Sequence, residues 1–194
     1  MSLLRILYRR IRHRTPCGIK RIGKNSLFYS PRRVHGARCI SIGENTTISP
    51  RGLLSAIEES GGVHYQPEII IGDNVYVGEN TWIVSMSKVV IENGCVLSER
   101  VYISDASHGL DPKAGPILEQ MLICKGEVHI QENTFIGYGA CILPGVTLGK
   151  NCVVGINSVV THSFPDYSMV AGAPAKLIKM YSEKQQAWVK PDHD

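Results

Sequence analysis

No stretch of this 194-residue chain approaches the roughly 20 consecutive apolar residues that a membrane-spanning helix needs. The amino terminus also lacks the apolar block of a secretory signal, so export is not expected. Six cysteines are present without paired spacing, which argues against a disulfide framework and for reduced thiols in the cytosol. Charge is neither abundant nor concentrated. A net charge of +4 with no base-reading motif excludes nucleic acid as a partner. The length suits one domain, and a hydrophobic share of 43% is ordinary for a soluble globular protein.

What the chain does contain is a hexad: an aliphatic residue, Asn or Gly three places on, and a small residue four places on. Ile130, Ile136, Ile142, Leu148, Val154 and Val160 follow one another in unbroken steps of six. The same register holds Ile71, Val77 and Ile83, then Ile91, Leu97 and Ile103, and more weakly Ile22, Phe28, Ile42 and Ile48, making sixteen hexads. Neither a packed helix nor a hairpin returns one side chain to the core every six residues, so the period predicts a β-solenoid. The fourth place holds residues small enough for a crowded interior, among them Ser26, Thr46, Ser87, Cys95, Ser107, Thr134, Cys152 and Ser158, with Arg32 and Phe164 as bulky exceptions. In ten hexads the third place is Asn or Gly, the residues that best accept a positive φ, so each hexad reads as a short strand closed by a tight corner.

Interruptions in the repeat mark the organisation. A coil domain is expected over 21–165, with surface excursions at 54–68 and 109–127, where long loops leaving a rigid scaffold are expected to carry function. Residues 166–194 read as a closing motif and, after Pro174, a short helix through Trp188 capping the coil. Residues 1–20 form a basic amphipathic segment, with Leu3, Leu4, Ile6 and Leu7 among Arg5, Arg9, Arg10 and Arg12. It suits either an anionic membrane surface or the protein's own solenoid. A narrow coil leaves flat, partly apolar faces, so side-by-side association is expected.

The segment Ile136-Gly-Tyr-Gly-Ala-Cys-Ile-Leu-Pro-Gly-Val-Thr-Leu-Gly-Lys-Asn-Cys-Val-Val-Gly-Ile-Asn-Ser-Val-Val-Thr161, followed by Val170-Ala-Gly-Ala-Pro-Ala-Lys176, resembles the carboxyl-terminal half of the hexapeptide-repeat acyltransferases. Within that family it is most similar to the sugar O-acetyltransferases of the maltose and galactoside acetyltransferase type, over about residues 20–180. The resemblance implies an all-β, left-handed parallel β-helix with a protruding loop, assembled as a homotrimer, with acetyl-CoA in the groove between subunits and no metal. It further implies transfer to a sugar hydroxyl, of a surface polysaccharide or its precursor.

Such a reaction needs a base, because an alcohol is a weak nucleophile near neutral pH. His108 closes the hexad Ile103-Ser-Asp-Ala-Ser-His108 and stands where the chain leaves for the long loop. The family motif commonly reads Asp-His-Asn-His-Gly; here it is Asp105-Ala-Ser-His108-Gly109, so the second histidine and the Asp are retained while Ala106 replaces the first. Asp105 either orients the imidazole or simply forms the corner. By the resemblance, Gly137, Tyr138 and Ile156 offer amides to the pantetheine arm. Thr161, His162, Lys176 and Lys179 fall where the family meets the phosphates, although His162 is a less dependable cation than the family's Lys. Trp82, pointing outward, suits either a sugar face or a subunit contact. Three rival readings stand beside this one: an N-acetyltransferase on an amino sugar or drug, a carbonic-anhydrase-like metal site, and a silent scaffold.

Overall fold

The computed structural model describes residues 18–29 and 33–191. The amphipathic segment, up to Cys17, and the Arg32 position lie outside the described residues. Eighteen short parallel strands and one longer one wind into a triangular coil whose three sides are three sheets. The predicted hexad residues stack in register. One sheet aligns Ile22, Ile42, Ile71, Ile91, Ile130 and Leu148, each beside the next. A second aligns Phe28, Ile48, Val77, Leu97, Ile136, Val154 and Val170. The third runs Val34, Leu54, Ile83, Ile103, Ile142 and Val160. The stack forms one continuous core, with Ile69, Leu97, Ile136 and Val154 fully buried. Burial of this kind contributes about 25 cal/mol per Å² of apolar surface, which is what a coil of strands only two to five residues long, with no α-helix among the described residues, depends on.

All ten Asn and Gly corner residues adopt positive φ, from 52° at Asn157 to 82° at Gly145. The side chains also tie one turn to the next, as where Asn25 Nδ2 donates to Asn45 Oδ1 at 3.2 Å. Thr46, Thr134, Cys95 and Cys152 fill the small inward slot as expected. Thr46 and Thr134 donate to the carbonyls of Gly72 and Gly149, so neither hydroxyl is stranded in the core. Burial pushes the Cys95 thiol up to about 11 and raises that of Cys152, so neither is a nucleophile.

Several expectations need correction. Ser26 is only half-buried, and Ser87 and Ser107 are not inward fillers, because near them the chain turns away from the coil; Ser85, Ser104 and Asp105 are the buried polar residues there. Leu54 is a core residue of the third sheet, so the first excursion narrows to 58–67, with a small hairpin of 59–60 and 63–64. Phe164 is nearly buried and bridges to Leu148. The coil also runs past 165, since Ser168–Gly172 pairs in parallel with Val153–Val154.

The closing helix is absent. Ala175–Ser182 and Ala187–Val189 are antiparallel strands that extend the second sheet. The last coil strand would otherwise present an unpaired edge, and satisfying that edge outweighs any local helical preference. Tyr181 closes the end, with its ring edge-on to Trp188 at 5.6 Å.

The insertions share one edge of the prism. Passing from the third sheet to the first takes six residues from Ile142 to Leu148 and eight from Ile83 to Ile91. It takes 17 from Leu54 to Ile71 and 27 from Ile103 to Ile130. Both excursions therefore project from the same corner, which concentrates the irregular chain on one side of a regular scaffold.

Candidate active site

The larger excursion is an antiparallel hairpin, Ala106–His108 against Leu122–Cys124, with His108 opposite Leu122. His108 thus stands on a hairpin strand rather than at the start of a loop. Gly109 follows it because a Cβ there would lie 2.8 Å from Gln120 Oε1 and 2.9 Å from Gln120 Cβ. Gln120 stitches the loop: its Nε2 donates to the carbonyls of Asp111 and Gly115, and its Oε1 accepts from the Asp111 amide. The His108 imidazole is exposed and bonds to no side chain among the described residues, leaving both ring nitrogens available to substrate.

Asp105, at the root of the hairpin, is fully buried. Its Oδ2 accepts from the Ser85 hydroxyl at 2.8 Å, the Ser87 amide at 3.0 Å and the Lys88 amide at 2.6 Å, while Oδ1 accepts from the Met86 amide at 2.8 Å. Four donors of the preceding turn thus occupy the carboxylate. The alternative in which Asp105 orients the imidazole has no hydrogen bond to support it; the corner-forming alternative has four. No spacing rule signals this role, since the donors lie 17 to 20 residues away.

His108 lines a cleft of about 460 Å³ with Tyr102, Lys125, Pro144 and Thr161. The fold thereby brings together two predicted residues that lie far apart in sequence. Lys125 and Tyr102 were not singled out from sequence, because neither belongs to a spaced motif. Tyr102 also borders a second cleft of about 450 Å³ formed with Asn80, Trp82 and Arg100. Trp82 points outward, 43% exposed, directly beside Tyr102 in the third sheet. The two clefts make one continuous polar and aromatic surface along the outside of that sheet.

Gly137, Tyr138 and Ile156 lie at the opposite edge of the third sheet, where the chain arrives from the second, whereas His162 follows Thr161 on the His108 side. Tyr138 and Ile156 are exposed there, and Ile156 is 70% exposed. The Arg100 guanidinium donates to the Tyr138 hydroxyl at 2.9 Å and sits over its ring. Gly137 is a correction: its amide already donates to the Val154 carbonyl at 2.9 Å, so it has no N–H to offer. What Gly137 supplies is closeness, since a Cβ there would lie 2.8 Å from the Ile156 nitrogen. His162 packs its ring against Phe164 at 4.5 Å, with Nδ1 3.2 Å from the Thr161 hydroxyl.

Lys176 and Lys179 are three apart on one strand, which would normally place them on opposite faces. An irregularity in pairing between Met169 and Val170 changes this. Lys176 lies opposite Ala171 and Lys179 opposite Met169, and those two partners share the outer face on either side of buried Val170. The bulge therefore gathers both cations on one surface. Among the described residues, no three His, Cys, Asp or Glu side chains gather closely enough to hold a metal ion.

Comparison with known proteins agrees with this architecture. The sequence profile for the hexapeptide repeat of succinyl-transferase matches residues 127–162. The chain is 32% identical over 195 residues to WbbJ of Escherichia coli K12, a protein named for lipopolysaccharide biosynthesis O-acetyl transfer, covering 97% of this chain and 88% of that one. It is 31% identical over 138 residues to a galactoside O-acetyltransferase of Lactococcus lactis, covering 70% of this chain and 60% of the other. Among solved structures, AntD, an N-acyltransferase of Bacillus cereus bound to dTDP and 3-hydroxybutyryl-CoA, superposes with a TM-score of 0.73 at 22% identity, covering 95% of this chain and 91% of AntD. A hexapeptide-repeat acetyltransferase of Vibrio cholerae bound to acetyl-CoA superposes with a TM-score of 0.53 at 25% identity, covering 94% and 81%. With its stacked hexads, its left-handed parallel β-helix and a relative matched over nearly its whole length, the chain belongs to the hexapeptide-repeat acyltransferase family.

Proposed function

We propose that this protein transfers an acetyl group from acetyl-CoA to a hydroxyl of a sugar acceptor, part of a surface polysaccharide or its precursor, with His108 as general base. The observation that carries this reading is the cleft in which His108 and Thr161 meet, continuous through Tyr102 with the aromatic face of Trp82. The acceptor lies on Trp82 and Tyr102 and presents one hydroxyl to His108. Neutral imidazole takes the hydroxyl proton as the oxygen forms a bond to the thioester carbonyl carbon. The tetrahedral adduct then expels the thiolate of CoA, which recovers the proton from the imidazolium. The transfer is direct, and no cysteine is required as an acyl carrier.

Within one copy, the His108 edge and the edge bearing Tyr138, Ile156 and the Lys176 surface flank the third sheet from opposite sides. A groove walled by both kinds of edge is completed by a second copy, and a homotrimer gives each copy one such groove. The register-aligned, exposed column Tyr76, Val96 and Phe135 on the second sheet supplies apolar area for that association. Acetyl-CoA lies in the groove with its phosphates toward Lys176 and Lys179. The five free thiols among the described residues suit a reducing cytoplasm, where acetyl-CoA is formed.

The decisive experiment follows thiol release from acetyl-CoA across a panel of sugars, nucleotide sugars, amino sugars and amines. Release stimulated by a hydroxyl acceptor supports the reading. Release only with amines moves the protein to N-acetyl transfer, and no stimulation by any acceptor returns it to a scaffold. For the cofactor, the Lys176→Gln, Lys179→Gln double variant is expected to weaken CoA binding by about 3- to 30-fold in calorimetry, with the difference shrinking in high salt. Unchanged affinity would assign both lysines to the solvated surface.

A further inference from the structure

A further cavity of about 530 Å³ is separate from the His108 cleft. It lies along the same edge of the prism, towards the amino-terminal turns, beneath the 58–67 excursion. A volume of this size falls within the range of about 300–1,000 Å³ typical of small-molecule sites. Lys20, Arg38, Lys88, Glu58, Glu68 and Glu127 line it, so three cations face three carboxylates and the cavity is formally neutral. Five of the six are already paired: Arg38 with Glu58 at 2.6 Å, and Glu68 with Lys20 at 3.3 Å and Lys88 at 3.8 Å. With three cations and three carboxylates, the cavity presents no excess of one sign to recognise a nucleotide or any other strongly ionic ligand.

Hydrogen-bonding capacity is what remains. Glu127 has no ion-pair or hydrogen-bond partner among the described residues, and Gln66 extends from the excursion. Tyr65 also lines the cavity, and its hydroxyl is buried with no hydrogen-bond partner among the described residues. That hydroxyl is enclosed by the excursion rather than presented to the cavity, so Glu127 and Gln66, both exposed, are the groups that can meet a ligand's hydroxyls. The Cys39 thiol at the cavity wall is held above its ordinary range, first by burial and then by Glu58, which removes covalent chemistry from consideration.

The cavity is also built into the active-site hairpin. Its wall at Ser87 and Lys88 is held by the buried Asp105 carboxylate, at the root of the strand that carries His108. The hairpin's return strand leads to Lys125 in the His108 cleft and, two residues on, to Glu127 in this cavity. Adjacent turns of the coil stand only about 4.8 Å apart.

We propose that this cavity is a second sugar subsite, holding a neutral, hydroxyl-rich ring of the acceptor beyond the one acetylated at His108, so that the acceptor is an oligosaccharide or polymer rather than a free monosaccharide. The inference rests on the acetyl-transfer reading above.

The test compares acetyl transfer by the full chain to galactose and lactose, glucose and maltotriose, and N-acetylglucosamine and chitobiose, alongside saturation-transfer NMR of the same sugars. The longer acceptor of the productive pair is expected to show kcat/KM about tenfold higher, as for one or two good hydrogen bonds. Glu127→Ala and Gln66→Ala should each remove most of that advantage, with monosaccharide turnover and the thermal midpoint unchanged. Equal use of short and long acceptors, or equal losses on both in the variants, overturns the subsite while leaving acetyl transfer intact. If no sugar is acetylated but longer sugars bind and Glu127→Ala abolishes binding, the subsite stands and the acetyl-transfer reading falls. Absence of both transfer and binding overturns both.

Discussion

His108→Ala is expected to reduce acetyl transfer by about two to four orders of magnitude, the range for removing a positioned general base. The loss should fall on kcat, because the base acts only as the oxygen attacks. Affinity for acetyl-CoA should be retained, since Lys176 and Lys179, proposed to meet its phosphates, lie on the second sheet away from the His108 hairpin. Stability should hardly change. The imidazole is exposed, and the hairpin is maintained by backbone pairing and by Gln120 rather than by the His108 ring. Stopped-time assays with saturating acetyl-CoA, paired with calorimetric titration of CoA, separate these quantities. Turnover within a few-fold of the unaltered protein would remove His108 from the chemistry and direct attention to Lys125 and Tyr102 in the same cleft.

Asp105→Ala should produce the largest loss of stability among single changes near the site. It strands three backbone amides and one hydroxyl in a buried corner. Each unsatisfied donor costs about 1–3 kcal/mol, and non-additivity brings the expected total to about 3–5 kcal/mol. For a domain of this size that lowers the thermal midpoint by roughly 10 °C. Asp105→Asn keeps one acceptor oxygen but turns an NH2 towards at least one amide donor, so an intermediate loss of about 1–3 kcal/mol is expected.

The paired readout distinguishes the two roles the sequence leaves open. A positioning residue that holds the hairpin root loses stability and activity together, and Asp105→Asn recovers part of both. A residue that orients the imidazole would lose kcat in Asp105→Asn without a comparable loss of stability. That second pattern would contradict the geometry described here.

The coil was legible because its cause is local and repeated. An aliphatic at each sixth position, a small residue in the slot and a positive-φ residue at the corner recur often enough to set the period, and the observed registers follow them residue for residue. The third column began less clearly. Val34 and Leu54 were missed as coil positions because inserted residues follow each of them, and a break in period hides the last aliphatic before it. The C-terminal strands were missed for another reason. What makes 175–182 extended is the unpaired edge of 168–172, a neighbour in space whose demand for hydrogen bonds is invisible in the local pattern.

The site divides in the same way. His108 could be found from its motif and its place beside an interruption, whereas Asp105 could be found but not assigned. Its partners sit one coil turn below, and only the stacked structure places the 85–88 corner against its carboxylate. Gly137 illustrates the reverse: the motif marks the position, but its amide is consumed by the ladder that the motif builds.

By itself, then, the sequence determined the repeat, the inward and outward faces and the family, and singled out His108 as the candidate base, because each is written within six residues or one motif. The tertiary structure decided that both excursions leave from one edge, that a bulge turns Lys176 and Lys179 to one face, and that Asp105 serves the scaffold. It also placed a formally neutral cavity beside the hairpin that carries His108. These are relations between turns of the coil, set by which residues the winding stacks together, and no local pattern encodes them.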